Sequence, residues 1–238
     1  MSIGLQMSPA STRSAPPRAG DLALRRVTMG QDSPLVLIVD DDGAVRSALM
    51  ELMDSVGLEA IGFASARDLL ERDIPDRPCC LVLDVRMPGS SGLDLQQHLA
   101  SSGKPRPIVF LTGHGDIPMS VQAMKAGAVD FLTKPVRDQS LLDAVTTGIE
   151  RDMAYRAGAR VKRQQADRHA TLTARERQVL RQVANGRLNK QIAFDLGISE
   201  VTVKLHRSSV MRKMQATSVG ELIRAWDLLP EELRDPVT

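Results

Sequence analysis

The sequence predicts an α/β protein: a doubly wound five-stranded parallel sheet with helices on both faces, followed by a separate unit made only of helices. Three observations carry this. From residue 35 to about 150, short apolar runs alternate with amphipathic helical stretches, the pattern of strands buried on both faces. From about 170 onward only helical periodicity and cap residues remain. The charge divides in the same way: residues 34–150 carry ten Lys/Arg against seventeen Asp/Glu, a net −7, whereas residues 151–238 carry seventeen against ten, a net +7. Such asymmetry fits two domains with different partners, the basic one meeting a polyanion.

The elements follow in order. Residues 1–33 are rich in Ser, Pro, Ala, Gly and Arg and lack periodicity, which predicts a flexible tail; the true start, Met1 or Met29, is left open. Leu35–Val39 is the first strand, and a helix from about Ala44 stops at Gly57. Glu59–Phe63 is the second strand, followed by a helix capped by Ser65. Cys79–Leu83 is the third strand; a Pro-Gly loop and a helix from about Leu93 to Leu99 follow. Pro107–Leu111 is the fourth strand, after which Asp116 caps a helix that has Pro118 in its first turn and Gly127 as its stop. Val129–Leu132 is the fifth strand, and a last helix starts near Asp138 and continues into a polar, basic stretch. In the tail unit, Thr173 and Glu176 form a capping box, Asn189 and Ser199 cap the next two helices, and Val219–Leu229 is a fourth. Two short helices joined at Gly197-Ile198-Ser199 have helix-turn-helix spacing. The expected division is a tail at 1–33, an α/β domain at 34–150, a helical linker at 151–169 and a four-helix domain at 170–238.

Composition excludes several classes. Hydrophobic residues make up 42% and charged residues 25%, a globular balance. No apolar stretch approaches the roughly 20 residues of a bilayer span, so no membrane partner is expected. The two cysteines, Cys79 and Cys80, are adjacent in an apolar run and cannot build a disulfide framework or a zinc cage, which points to a reducing cytoplasm. The four histidines are scattered without metal-ligand spacing.

Polar residues follow the strands: Asp40-Asp41-Asp42 after the first, Asp84 after the third, Thr112 after the fourth, Lys134-Pro135 after the fifth. In a doubly wound sheet these positions converge at the carboxyl edge, where ligands bind. Three carboxylates gathered there repel one another unless a divalent cation joins them, and hard oxygen ligands with open positions suit Mg²⁺. A carboxylate can act as a nucleophile and form an aspartyl phosphate. The phosphoryl oxygens then need donors, which Thr112 and Lys134 supply. Singly, each residue has a plainer reading: Asp40–Asp42 as a helix cap, Thr112 as a turn residue, Lys134 as a surface charge. Their joint placement at successive strand ends is what points to chemistry.

Val-Asp-Asp-Asp at 39–42, Leu-Asp-Val-Arg-Met-Pro-Gly at 83–89, Thr-Gly-His-Gly-Asp at 112–116 and Thr-Lys-Pro at 133–135 resemble the receiver domain of two-component response regulators. The resemblance implies strand order 2-1-3-4-5 and Asp84 as phosphoacceptor, taking its phosphoryl group from a histidine of a sensor kinase. It implies Mg²⁺ held by Asp41, Asp84 and the main-chain carbonyl of Arg86, and by Asp40 largely through water. Thr112 is implied to hydrogen-bond the phosphoryl group and Lys134 to pair with it, across a cis Lys134–Pro135 peptide. The family's switch pairs Thr112 with an aromatic three residues before the lysine, here Phe131; the plainer reading of Phe131 is core packing.

Leu-Thr-Ala-Arg-Glu-Arg at 172–177, Asn-Lys-Gln-Ile-Ala at 189–193 and Thr-Val-Lys-Leu-His at 202–206 resemble the LuxR-type helix-turn-helix of NarL and FixJ regulators, and Gly-His-Gly-Asp-Ile-Pro-Met at 113–119 its FixJ branch. A helical wheel agrees: with Val203 at zero and about 100° per residue, Val210 and Met214 fall within about 20° of it, the buried side. Lys204, Ser208, Arg212 and Leu205 fall at roughly 100, 140, 180 and 200°, the outward side. Such a helix suits the major groove of double-stranded promoter DNA. Lys204, Leu205 and Ser208 are expected near base edges, and Thr202, at the helix start, is expected in contact with DNA as well; Lys190, Arg207, Arg212 and Lys213 are expected at phosphates.

The function this predicts is a bacterial transcriptional regulator, an activator by resemblance. It is switched by phosphorylation of Asp84, forms a homodimer on phosphorylation, and works with RNA polymerase. Two other readings stay open on sequence: a Mg²⁺-dependent aspartyl-phosphate phosphatase, and a regulator indifferent to phosphate.

Overall fold

Leu35–Val39 (β1) is wholly buried because it lies between two other strands and helices cover both faces of the sheet. In this computed structural model, residues 33–88, 90–102, 106–113 and 117–234 are described. The expected tail, apart from Ser33, and the Asp116 cap lie outside them. After β1 come α1 (Gly43–Ser55), β2 (Glu59–Phe63), α2 (Ala66–Glu71) and β3 (Cys79–Leu83). A small hairpin, β4 (Arg86–Met87) with β5 (Ser90–Ser91), precedes α3 (Gly92–Ser101). Then follow β6 (Ile108–Thr112), α4 (Ile117–Lys125), β7 (Asp130–Thr133) and α5 (Asp138–Ala170). The main sheet runs β2-β1-β3-β6-β7, all parallel, the expected 2-1-3-4-5 order of its five strands.

Alternate residues of each strand feed two cores, as the twofold strand period requires. Leu35, Leu37, Leu81, Leu83 and Phe110 pack with Leu69, Leu95, Leu99 and Ala123 of α2, α3 and α4. Val36, Ile38, Val82, Val109 and Leu111 pack with Leu49 and Met53 of α1 and Leu141, Val145 and Ile149 of α5. Cys79 and Cys80 are buried free thiols, one in each core, and burial raises the pKa of both.

Two local differences from the sequence reading concern the segment after β3. The expected Pro-Gly loop contains the β4–β5 hairpin, in which Arg86 pairs with Ser91 and Met87 with Ser90. Helix α3 begins at Gly92, one residue before Leu93, because Ser91 and Asp94 form a capping box.

Helix α5 is 33 residues and about 50 Å long, one uninterrupted element. Its first half belongs to the sheet unit. There the buried Asp152 accepts the Cys79 N–H at 2.8 Å and the Arg156 guanidinium at 2.7 Å. Its last turn belongs to the helical unit, with His169 buried in edge contact with Trp226 and Ala166 against the same core. The helices there are α6 (Ala174–Ala184), α7 (Asn189–Leu196), α8 (Glu200–Met214), α9 (Val219–Asp227) and the short α10 (Glu231–Arg234). The last is an addition to the four expected. Gly197, at φ 63°, makes the left-handed turn between α7 and α8. The cap of α7 is Leu188 rather than Asn189: the Gln191 side chain accepts the Leu188 N–H at 2.9 Å, while the Asn189 side-chain Oδ1 accepts from Arg207.

Candidate functional site

The carboxyl edge of the parallel sheet gathers the expected acidic residues. Asp40 follows β1 and Asp84 follows β3, neighbouring strands, and both carboxylates are buried. The Asp84 N–H donates to the Val39 carbonyl at 2.9 Å, which extends the β1–β3 pairing to Asp84 itself. One oxygen from each of Asp40, Asp41 and Asp84 lies within 4.8 Å of the others, the one such cluster among the described residues. Asp41 is exposed, so the cluster opens to solvent on one side. Buried hard oxygens with an open side fit Mg²⁺, which keeps part of its water shell.

Asp42 stands apart from the cluster. It caps α1, accepting the Ala44 and Val45 N–H groups at 2.8 and 3.2 Å. The bonds from Val45 and Ala44 hold its carboxyl below the usual range. The aspartate triplet thus serves both readings that the sequence left open: two residues join the cluster and the third starts the helix.

Lys134, directly after β7, reaches over the edge. Its Nζ lies 2.6 Å from Asp40 Oδ2 and 2.8 Å from Asp84 Oδ2. Partial burial alone would lower its pKa, but the hydrogen bonds and charges of Asp40 and Asp84 outweigh this and raise it. The Lys134–Pro135 peptide is cis, and the Lys134 N–H donates to the Thr112 carbonyl at 2.8 Å, tying the ends of β6 and β7. Thr112 is buried at the end of β6. Phe131 is half-buried on β7, and its ring sits 6.0 Å from that of Phe110, its partner in the β6–β7 register. Asp84 Oδ1 accepts the Arg86 N–H at 3.1 Å, which orients the carboxylate and sets Arg86 two residues beyond it.

Two residues of this site were not picked out from sequence. A Cβ on Gly92 would stand 2.5 Å from the Asp84 carbonyl oxygen, so only glycine lets α3 start against the functional strand end. Its legible signal was the Ser91–Asp94 capping box around it. Arg46 of α1 donates to the Asp40 carbonyl at 2.6 Å, a contact between a side chain and the main chain that residue type does not announce.

In the helical unit, α8 buries Val203, Val210 and Met214 and exposes Lys204, Leu205, Ser208 and Arg212, as the wheel requires. Leu205 is 67% exposed, an apolar side chain that the fold itself does not use. Lys190 is exposed on α7. Thr202 is half-buried, its N–H donating to the capping Ser199 hydroxyl at 3.1 Å. Arg207 and Lys213 make contacts within the protein. Arg207 donates to Asn189 of α7 at 3.0 Å, and Lys213 donates to Glu176 at 2.7 Å and to the Thr171 carbonyl at 3.2 Å.

A parallel sheet with buried carboxylates and a lysine at its carboxyl edge, joined to a helix-turn-helix with an exposed basic helix, is the arrangement of a two-domain regulator. Comparison with known proteins agrees. Residues 36–146 match the response regulator receiver domain, and residues 170–226 match the luxR family of bacterial regulatory proteins. The chain is 50% identical over 202 residues to nodulation protein W of Bradyrhizobium diazoefficiens, covering 85% of this chain and 89% of that one. It is 44% identical over 189 residues to the transcriptional regulatory protein FixJ of Azorhizobium caulinodans, covering 79% and 90%. The low-resolution structure of the response regulator StyR superposes with a TM-score of 0.73 at 46% identity, covering 82% of this chain and 98% of that one. The chain belongs to the response regulators that join a receiver domain to a LuxR-type DNA-binding domain, a family of transcriptional regulators in two-component systems. Membership implies a sensor kinase as partner of the receiver, DNA as partner of the helical domain, and Mg²⁺ at the acidic pocket of the receiver fold. Among the described residues, no helix is long and apolar enough to cross a membrane.

Proposed function

We propose that this chain is a cytoplasmic transcriptional activator, switched when a sensor histidine kinase phosphorylates Asp84. The observation that carries the reading is the placement of Lys134 Nζ between Asp40 and Asp84, beside the only acidic cluster among the described residues. Asp84 is the nucleophile: a carboxylate oxygen bonds to phosphorus as the P–N bond to the kinase histidine breaks. Asp41, Asp84 and the main-chain carbonyl of Arg86 would hold Mg²⁺, with Asp40 beside them, and the ion would neutralise phosphoryl charge. Lys134 is already charged and positioned to pair with the incoming phosphoryl oxygens, and the Thr112 hydroxyl donates a further hydrogen bond. As Thr112 turns toward the phosphoryl group, Phe131 moves into the space it leaves, and the α4–β7 face changes shape.

That face favours a receiver homodimer. Ile117, Val121 and Met124 form an i, i+4, i+7 apolar stripe on α4, with Ile117 80% exposed. In the dimer two α8 helices engage successive half-sites of promoter DNA about one helical turn apart. Lys204, Leu205 and Ser208 approach base edges, Lys190 and Arg212 meet phosphates, and Thr202, Arg207 and Lys213 set the helix in place. The bound dimer recruits RNA polymerase. The units meet within α5, with the receiver spanning 34–150, the linker 151–169 and the DNA-binding domain 170–238.

Sedimentation velocity with Mg²⁺, with and without beryllofluoride, beside Asp84→Asn, tests the reading. A dimer that forms with the phosphoryl mimic and is lost in Asp84→Asn is expected. A monomer throughout, or a dimer indifferent to both changes, overturns it. Steady turnover of a phosphoester would favour a phosphatase instead.

A further inference from the structure

The inward face of α3 is apolar at Leu95 and Leu99, but between them it buries the uncharged polar Gln96, 5% exposed. A buried amide is costly unless its hydrogen bonds are met. Gln96 Nε2 donates to two main-chain carbonyls of the neighbouring chain turn, Ala123 at 3.2 Å and Ala126 at 3.3 Å. Both lie at the C-terminal end of α4, where a helix leaves its last carbonyls without intrahelical donors. The same end is held by its own turn: Gly127, at φ 91°, donates to the Met124 carbonyl at 3.0 Å, and Ala128 donates to Ala123 at 3.1 Å. Ala123 and Ala128 are buried there. The opposite end of α4 is built differently: Ile117 and Pro118 are exposed.

We infer that Gln96 is a positioning residue, the pivot of α4: it holds the C-terminal end of the helix against α3 while the N-terminal end moves in response to the phosphoryl group. This rests on the switch reading above and adds to it the residue that converts a local displacement at Thr112 into a rotation of the Ile117–Val121–Met124 stripe. A helix free at both ends would absorb the same displacement by sliding, and its apolar face would not be aimed at a second copy. The pivot lies off the acidic cluster, so phosphoryl chemistry does not depend on it.

The test uses the full chain and Gln96→Leu, which keeps side-chain volume and loses only the two hydrogen bonds. Ala126 is exposed, so water can take up its freed carbonyl and the variant is able to fold. Acetyl phosphate should label Asp84 of the variant as fully as the natural chain, read by intact mass. The dimer formed with Mg²⁺ and beryllofluoride should be about tenfold weaker, the scale of one or two lost buried hydrogen bonds. Hydrogen exchange supplies a readout that general destabilisation does not reproduce. In the natural chain the mimic should change exchange along α4 and β7 but leave residues 126–128, the end that Gln96 holds, unchanged, and in Gln96→Leu the change should extend through them. A variant with a lower melting temperature but an unchanged dimer response and an unchanged exchange pattern overturns the pivot alone. A natural chain without any mimic response overturns the switch reading and the pivot with it.

Discussion

Glu176 of α6 holds Lys213 of α8: its Oε2 accepts from Nζ at 2.7 Å, while its Oε1 accepts from the Ser209 hydroxyl at 2.6 Å. The same carboxylate closes its own capping box by accepting the Thr173 N–H at 2.7 Å. One buried side chain therefore starts α6 and holds α8 at Ser209 and Lys213, on the flank of the face that carries Lys204, Leu205 and Ser208. The orientation of the exposed α8 face is set inside the domain.

Glu176→Gln should cost the helical domain about 2 kcal/mol, the range for hydrogen bonds to a charged group. Trp226, the single tryptophan, lies in that core and reports its unfolding by fluorescence. The pH dependence has a defined sign. Burial raises the Glu176 pKa, but bonds from Lys213, Ser209 and Thr173 outweigh it and hold the carboxyl at about 2, against 4.5 ordinarily. The unfolded chain thus takes up the proton first. The stabilisation is complete above about 4.5 and is lost as pH falls toward about 2. In Glu176→Gln this component of the acid loss should be absent.

On DNA, the exposed and the tethered lysines should separate. Lys204→Ala should lower the slope of log affinity against log salt by about one if it meets a phosphate, and relax base preference if it meets a base edge. Leu205→Ala should weaken a selected duplex about tenfold with the slope unchanged. Lys213→Ala should lower thermal stability and leave the slope unchanged, since its ammonium is held by Glu176 and Thr171. Fluorescence anisotropy over a salt series reads all three; a reduced slope in Lys213→Ala would return that residue to the phosphate contacts.

Removing Lys134 should tighten Mg²⁺ binding. Its ammonium sits within 2.8 Å of both Asp40 and Asp84 and opposes a second cation. Lys134→Ala should therefore bind Mg²⁺ about fivefold more tightly by titration calorimetry, a modest Coulomb effect at a partly exposed site. Without Mg²⁺ the same variant should melt lower, because its carboxylates repel unscreened. Its mimic-dependent dimer should be lost.

Gly92→Ala tests the close approach of α3 to Asp84. The added methyl would meet the Asp84 carbonyl at 2.5 Å and the Val85 Cα at 3.1 Å, both main chain, so the strand end must move. A stability loss of about 2–3 kcal/mol is expected, as for overpacking elsewhere. Labelling of Asp84 by acetyl phosphate should slow as well. An unchanged melting temperature would refute this.

Much of the chain was legible in the sequence because its signals are local or periodic. The five apolar runs, the Ser65, Thr173 and Ser199 caps and the alternation of elements determined the parallel sheet and the helical tail, since burial on two faces leaves little choice of residue. Asp40, Asp84, Thr112 and Lys134 were legible because topology sends every strand end to one edge. Tertiary structure alone decided what each of these groups touches. Asp42 left the cluster for a cap because α1 begins there. Lys213 turned inward because the distant Glu176 needed a partner. Gln96 and Asp152 acquired their roles from main-chain groups far along the chain, and Gly92 from the nearby Asp84 carbonyl. Main-chain carbonyls and N–H groups are the same at every residue, so a sequence does not mark which of them will need a donor, an acceptor or room. Only the fold brings them together.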